Sequence, residues 1–207
     1  MRDYHAVMDG IDWAASAMIA ARTRLEIASH NLANVSSDGF SRIVARGTLT
    51  SSGVNIVAAR GRQQGALRLT GRDFDLAIVG QGNFRVRDRS GNIETTRNGA
   101  FARRRNGTLT DLSGRVLLGM SGPLHVPIGA RIDERGCVVA AGRTFDRIPL
   151  PAGSRVESGF LETAAVDGIR EMIDVLCAER SFESAQKVVS AIDGVRQKAS
   201  DDVARVK

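Results

Sequence analysis

Residues 3–40 read DYHAVMDGIDWAASAMIAARTRLEIASHNLANVSSDGF, and the point at which their pattern changes sets the fold. From 4 to 33 there is no Pro and one Gly, Gly10. Tyr4, Met8, Ile11, Ala15, Met18, Leu25 and Leu32 fall on an alternating four-three spacing, with Ala14, Ala21 and Ala28 beside them. Apolar residues at that spacing share one side of an α-helix and make a coiled-coil-like seam. Ser36, Ser37, Asp38 and Gly39 then form a turn cluster that a helix interior disfavours, so the helix is predicted to stop near Asn34. Asn31 and Asn34 sit where a side-chain amide can cap and redirect the chain, and the bland alternative is an ordinary helix end.

The other end of the chain repeats the pattern. Ile169, Ile173 and Leu176 make one short stripe, and Phe182, Ala185, Val189, Ile192, Ala199, Val203 and Val206 continue a three-four spacing. Neither Pro nor Gly occurs from Ile169 to Asp193, so the sequence predicts a helix of roughly 35 residues with a soft point at Gly194. Phe182, flanked by Arg180 and Glu183, reads either as a knob between subunits or as a residue packed onto the N-terminal helix.

Between the helices lie short apolar or alternating runs punctuated by glycine, such as DLAIVGQGNFRVRD and GCVVAAGRTFDRI. Ser90-Gly91, Asn98-Gly99, Asn106-Gly107 and Ser113-Gly114 are dipeptides suited to the positive backbone angles of hairpin turns. The expected fold class is α+β: N- and C-terminal amphipathic helices forming a coiled-coil-like layer, with a central, mostly antiparallel β domain. The expected organisation is 1–35 as an N-terminal helical assembly segment, 36–160 as the β domain and 161–207 as a C-terminal helical assembly segment. The β domain can close its own core, whereas the two amphipathic helices need each other or other copies.

Composition excludes several classes of function. The net charge is +6, but residues 1–35 hold three Arg against four acids and residues 161–207 hold seven bases against nine acids. The excess is therefore spread over the middle among turn residues, and solvated strand faces and loops account for it. Cys137 and Cys177 lie in segments of different character; packing is the expected role of both, with a single bridge open to them in an oxidising compartment. His5, His30 and His125 show no ligand spacing, so no metal site is expected. Gly80 and Gly82 in IVGQGNF resemble part of a nucleotide loop, but FRVRD continues as a strand where a helix would be required, so a bulge or tight turn is expected. No acid, base or nucleophile constellation assembles, so neither an enzyme nor a cofactor is expected. No apolar run is long enough to cross a bilayer, and Asp3 and Asp9 stand where a secretory signal has a basic region and an unbroken apolar one. The protein is expected to keep its own N-terminus.

Three stretches carry a resemblance. ARTRLEIASHNLANVSSDGFSR, Ala21 to Arg42, is similar to the N-terminal signature of the flagellar axial proteins of the rod and hook. DFDLAIVGQGNFRVRD with TRNGAF and GTLTDLSGRVLLG is similar to their central motif, and SGFLETAAVDGIREMIDVLCAERSFESAQKVVSAID to their C-terminal helix. The chain thus resembles the flagellar basal-body rod protein family (FlgF/FlgG-like). GPLHVPIGARIDERGCVVA favours the proximal-rod over the distal-rod type, and the segment after Arg147 is shortened relative to that family.

The resemblance implies a structural subunit that polymerises through its terminal helices, transmits torque, forms the export channel and leaves the cell by the flagellar type III route. The implied partners are copies of itself, other rod and hook proteins, the flagellar export apparatus and ring proteins around the rod, with no small-molecule substrate. The expected location is the periplasmic rod of the flagellar basal body. The expected assembly interface is Met8, Ile11, Met18, Leu25, Leu32, Ile169, Ile173, Leu176, Phe182, Val189 and Ile192, and the expected structural motif is Asn31, Leu32, Ala33, Asn34, Gly39 and Phe40. The alternative from another class is a basic β module that binds an anionic polymer, either cell-wall glycan or nucleic acid.

Overall fold

The computed structural model describes residues 3–50 and 53–205, with side chains described for residues 10–50 and 53–201; Tyr4, His5, Met8, Val203 and Val206 of the sequence reading lie outside the described side chains. Helix α1 spans Asp3–Ala33 and α2 spans Gly168–Arg205, with fourteen short strands among the described residues between them. The chain divides into two compact units. One gathers α1, the strands β1 (Ile43–Thr50) and β2 (Gly53–Arg60), and α2; the other comprises Asn34–Arg42 and Arg62–Val166.

In the helical unit α1 and α2 pack along each other. They run antiparallel, because Gly10 of α1 faces Ile192 late in α2 while Asn31 bonds Glu171 at the start of α2. The described side chains that α1 buries are small: Ala14, Ala21 and Ala28 at seven-residue intervals, with Ala20 and Asn31. On α2 the matching series is Glu171, Ala178 and Ala185. Alanine seams let backbones approach closely, so the larger residues straddle the line of contact. Ile11, Met18, Leu25 and Leu32 are only half-buried, and Ala15 is exposed. The seam expected from the large residues is thus displaced to the alanines beside them. α2 begins on Asp167, whose Oδ1 accepts the amides of Ile169 (3.0 Å) and Arg170 (3.3 Å) as an N-cap. It continues through Gly194, where a soft point was expected.

The hairpin β1–β2, antiparallel from Ile43↔Arg60 to Thr50↔Gly53, belongs with the helices rather than with the other strands. Its near end is anchored on α1, where Ser16 Oγ accepts the Val54 amide at 3.3 Å. Gly53, at φ 130°, lies so close to Ser16 that a Cβ would overlap that side chain.

The β unit holds β3 (Leu67–Leu69), β4 (Leu76–Val79), β5 (Phe84–Arg87), β6 (Ile93–Thr96), β7 (Ala102–Arg103), β8 (Leu109–Thr110), β9 (Val116–Leu117), β10 (Arg131–Ile132), β11 (Cys137–Ala140), β12 (Arg143–Arg147), β13 (Arg155–Ser158) and β14 (Phe160–Glu162). Every described strand pair is antiparallel, in a five-stranded sheet β6-β5-β9-β8-β7, a three-stranded sheet β10-β11-β12 and the pairs β13-β4 and β14-β3. In β5 the alternation is plain, Phe84 and Val86 buried and Arg85 exposed, which directs one face into a core with Leu76, Ile78, Leu109, Leu117 and Val156. Phe84 and Phe101 meet edge to face, centroids 5.3 Å apart at 87°.

Glycine serves two purposes here. Gly91, Gly107 and Gly114 have positive φ as the turn dipeptides predicted, but Gly99 does not. A Cβ on Gly99 would overlap the Leu76 carbonyl, so Asn98-Gly99 marks a close backbone approach in place of a mirror-image turn.

Candidate assembly surfaces and motif junctions

Two junctions tie the distant motifs together, one in each unit. In the helical unit Asn31 is fully buried, and its side-chain amide pairs both main-chain groups of Ile43: Nδ2 donates to the carbonyl and Oδ1 accepts the amide, each at 2.8 Å. The same Nδ2 reaches Glu171 Oε2 at 3.1 Å. One amide thus joins the end of α1, the start of β1 and the first turn of α2. These partners lie 12 and 140 residues from Asn31, a distance that no local sequence pattern spans.

In the β unit the junction is the ion pair of Arg97 and Glu162, both buried. Arg97 Nε donates to Glu162 Oε2 at 2.9 Å, Nη1 to the carbonyls of Gly80 (3.0 Å) and Gly82 (2.7 Å), and Nη2 to that of Ile78 (3.2 Å). Glu162 Oε1 accepts the Gly65 amide at 3.1 Å. The glycines of IVGQGNF, at φ 99° and 115°, turn their carbonyls onto a guanidinium. Gly39 and Phe40 join here: the Gly39 amide donates to the Glu162 carbonyl at 2.6 Å and the Ala165 amide to the Phe40 carbonyl at 3.0 Å. Gly39, at φ 70°, sits against the backbone of Arg97 and Asn98 where a Cβ would overlap. The main-chain carbonyl of Asn34 closes the preceding turn by accepting the Ser37 amide at 3.0 Å, and Arg68 grips both oxygens of Asp38 at 2.9 Å.

The named interface residues fall on two sides of α2. Phe182, Val189 and Ile192 are half-buried, in phase with Ala178 and Ala185 on the side toward α1. Ile169, 74% exposed, and Met172, Ile173 and Leu176, each more than half exposed, lie on the opposite side. The first half of α2 is therefore apolar on two opposed faces, only one of which α1 covers. Trp13 and Ile19 of α1 are also exposed. Cys177 is exposed, against the expectation that it packs, while Cys137 is half-buried; both are free thiols, and burial together with Asp133 pushes the Cys137 thiol up.

Among the described residues no group of His, Cys, Asp or Glu could hold a metal ion, and no helix is long and apolar enough to cross a membrane.

Three family models match the chain in order: "Flagella basal body rod protein" over residues 11–40, "Flagellar hook protein FlgE/F/G D1 domain" over 77–144 and "Flagellar basal body rod FlgEFG protein C-terminal" over 157–202. The chain is 25% identical to the flagellar basal-body rod protein FlgG of Agrobacterium fabrum, over 87% of this chain and 94% of that protein. It is 27% identical to FlgG of Bacillus subtilis, over 88% and 94%, and 26% identical to the rod protein FlgF of Escherichia coli, over 81% and 87%. The Agrobacterium alignment spans 245 positions, more than the 207 residues of the chain, so that relative carries residues absent here.

The helix-flanked β architecture and the ordered motifs are those of an axial subunit, and the chain belongs to the family of flagellar rod and hook proteins. Within it, this is a basal-body rod protein of the FlgF/FlgG type. The anionic-polymer alternative finds no support in these relatives.

Proposed function

We propose that this structural rod subunit polymerises through its terminal helices, the α1–α2 pairs of successive copies packing into a layer that transmits torque and surrounds the export channel. The observation that carries this reading is the second apolar face of α2. A helix apolar on two sides needs two partners, and α1 supplies one. Four large apolar side chains left in water within two turns form a patch of the kind that marks a protein–protein contact.

The rest of the reading follows from the family. The subunit travels through the flagellar export apparatus without a cleaved signal, takes its place in the periplasmic rod, and meets other rod and hook proteins and the surrounding rings. It catalyses no reaction, and the favoured position is the proximal rod. The test is deletion of the gene in the native host. Absent or truncated rods, restored by the full chain and not by one lacking residues 170–207, are expected; intact rods in the deletion strain would refute the reading.

A further inference from the structure

We propose that Arg89 and Arg104 of the β unit hold one phosphate group between them, above the turn at Gly114. Among the described residues four hairpin turns of this unit share one build: 88–92, 104–108, 111–115 and 133–137. In each, the amide of the first residue donates to the carbonyl of the fifth, and a glycine in fourth place, with positive φ, donates to the carbonyl of the first. Asp88, Asp111 and Asp133 open three of these turns, and each Oδ1 accepts the amide of the fifth residue, at 2.8, 2.9 and 2.7 Å. The turn at 104 departs from this rule. There Asn106 Oδ1 takes the fifth amide, that of Thr108, at 3.1 Å, and Arg104 fills the first place. Its guanidinium turns to the neighbouring loop instead. Nε donates to Oγ1 of the buried Thr110 at 2.9 Å, and Nη2 stands 3.7 Å from the point where a Cβ would sit on Gly114. Arg89 arrives at the same point from the 88–92 turn, its Nη2 at 3.6 Å and its Nε at 3.9 Å.

Two exposed cations are thus brought to one point with no anion of this chain between them. Among the described residues neither Arg89 nor Arg104 makes an ion pair, and the carboxylates of these turns and of β6 are engaged elsewhere: Asp88 by Asn92, and Asp111 and Glu94 by Arg115. Like charges held this close repel, and an anion seated between them turns the repulsion into attraction. The Nε–Nη2 edge of Arg89 is the fork that takes two oxygens at once. A phosphate group has oxygens enough for both arginines and a charge near −2 that matches two guanidinium groups, whereas a single carboxylate offers two oxygens and one charge. Gly114, at φ 80°, presents no side chain between them.

The test titrates inorganic phosphate, at constant ionic strength, into the purified, isotopically labelled full chain and follows the backbone amide resonances of Arg89, Arg104 and Gly114. A saturable shift confined to these turns is expected, with the affinity lowered about tenfold or more by Arg104→Asp. Asp opens the three sister turns, so this variant is expected to fold, and its urea midpoint checks that it does. Arg89→Gln, which leaves the Asp88 cap in place, is expected to show a similar loss. Arg105→Asp makes the same change of charge on the adjacent residue, outside the clamp, and is expected to leave the affinity nearly unchanged. Sedimentation with phosphatidylcholine vesicles carrying phosphatidic acid then separates the two sources of phosphate. Vesicle binding lost in Arg104→Asp and kept in Arg105→Asp assigns a lipid headgroup; vesicles that bind no chain, or all chains alike, assign a soluble phosphate. Absence of a saturable shift, or an equal loss in Arg104→Asp and Arg105→Asp, would overturn the clamp and leave these arginines as a diffuse basic surface.

Discussion

Arg97 Nε lies 2.9 Å from Glu162 Oε2, 65 residues away in sequence, and the other donors of the guanidinium end on carbonyls of Ile78, Gly80 and Gly82. A pair buried this deeply gains little over a well-packed apolar pair, but removing one partner strands the other. Glu162→Gln is expected to destabilise the chain by about 3–5 kcal/mol, read as a lower urea midpoint. Arg97→Met with Glu162→Leu is not expected to recover it, because the carbonyls of Gly80 and Gly82 and the Gly65 amide then lose their partners, while that of Ile78 keeps Gln64. Full recovery in the double variant would show that the guanidinium does not organise the glycine turn.

Asn31→Leu removes an amide that satisfies both main-chain groups of Ile43. Each stranded buried group costs about 1–3 kcal/mol. The Ile43 amide is expected to lose most of its hydrogen-exchange protection while amides in the β unit keep theirs.

Gly99 and Gly91 separate the two uses of glycine. Gly91→Ala meets nothing within 4 Å and carries only the strain of φ 90°, expected at about 1 kcal/mol. Gly99→Ala forces a methyl into the Leu76 carbonyl, and its loss of thermal stability is expected to be at least twice as large.

Ala21→Leu overfills the α1–α2 seam and is expected to cost about 1–3 kcal/mol. Met18→Ala, which trims a half-buried residue beside the seam, is expected to cost less. The reverse order in urea titrations would return the seam to the large residues.

These contrasts mark what the sequence could and could not disclose. The helices were legible because Pro and Gly are nearly absent from them and apolar residues recur every three or four positions. Within one copy the buried positions of α1 are Ala14, Ala21 and Ala28 and not the more hydrophobic Met18 and Leu25, because close helix approach selects the smaller side chains. The two sides of α2 were visible as a break in spacing between Leu176 and Phe182, but only the structure shows α1 covering one of them. Arg97 and Glu162 each lay within a recognisable motif, yet no local period links residues 65 apart. The hairpin reads as any other strand pair, and its place beside α1 depends on Ser16 and Asn31, which carry no strand signal.

The most direct test of polymerisation through the helices is electron microscopy of basal bodies from the native host in which the gene is replaced by one encoding Ile173→Asp with Leu176→Asp. Both residues are more than half exposed, so the purified variant should unfold at the same urea concentration as the unsubstituted chain. Rods missing or truncated with that midpoint unchanged are the predicted result; complete rods of normal length would contradict assembly through this face.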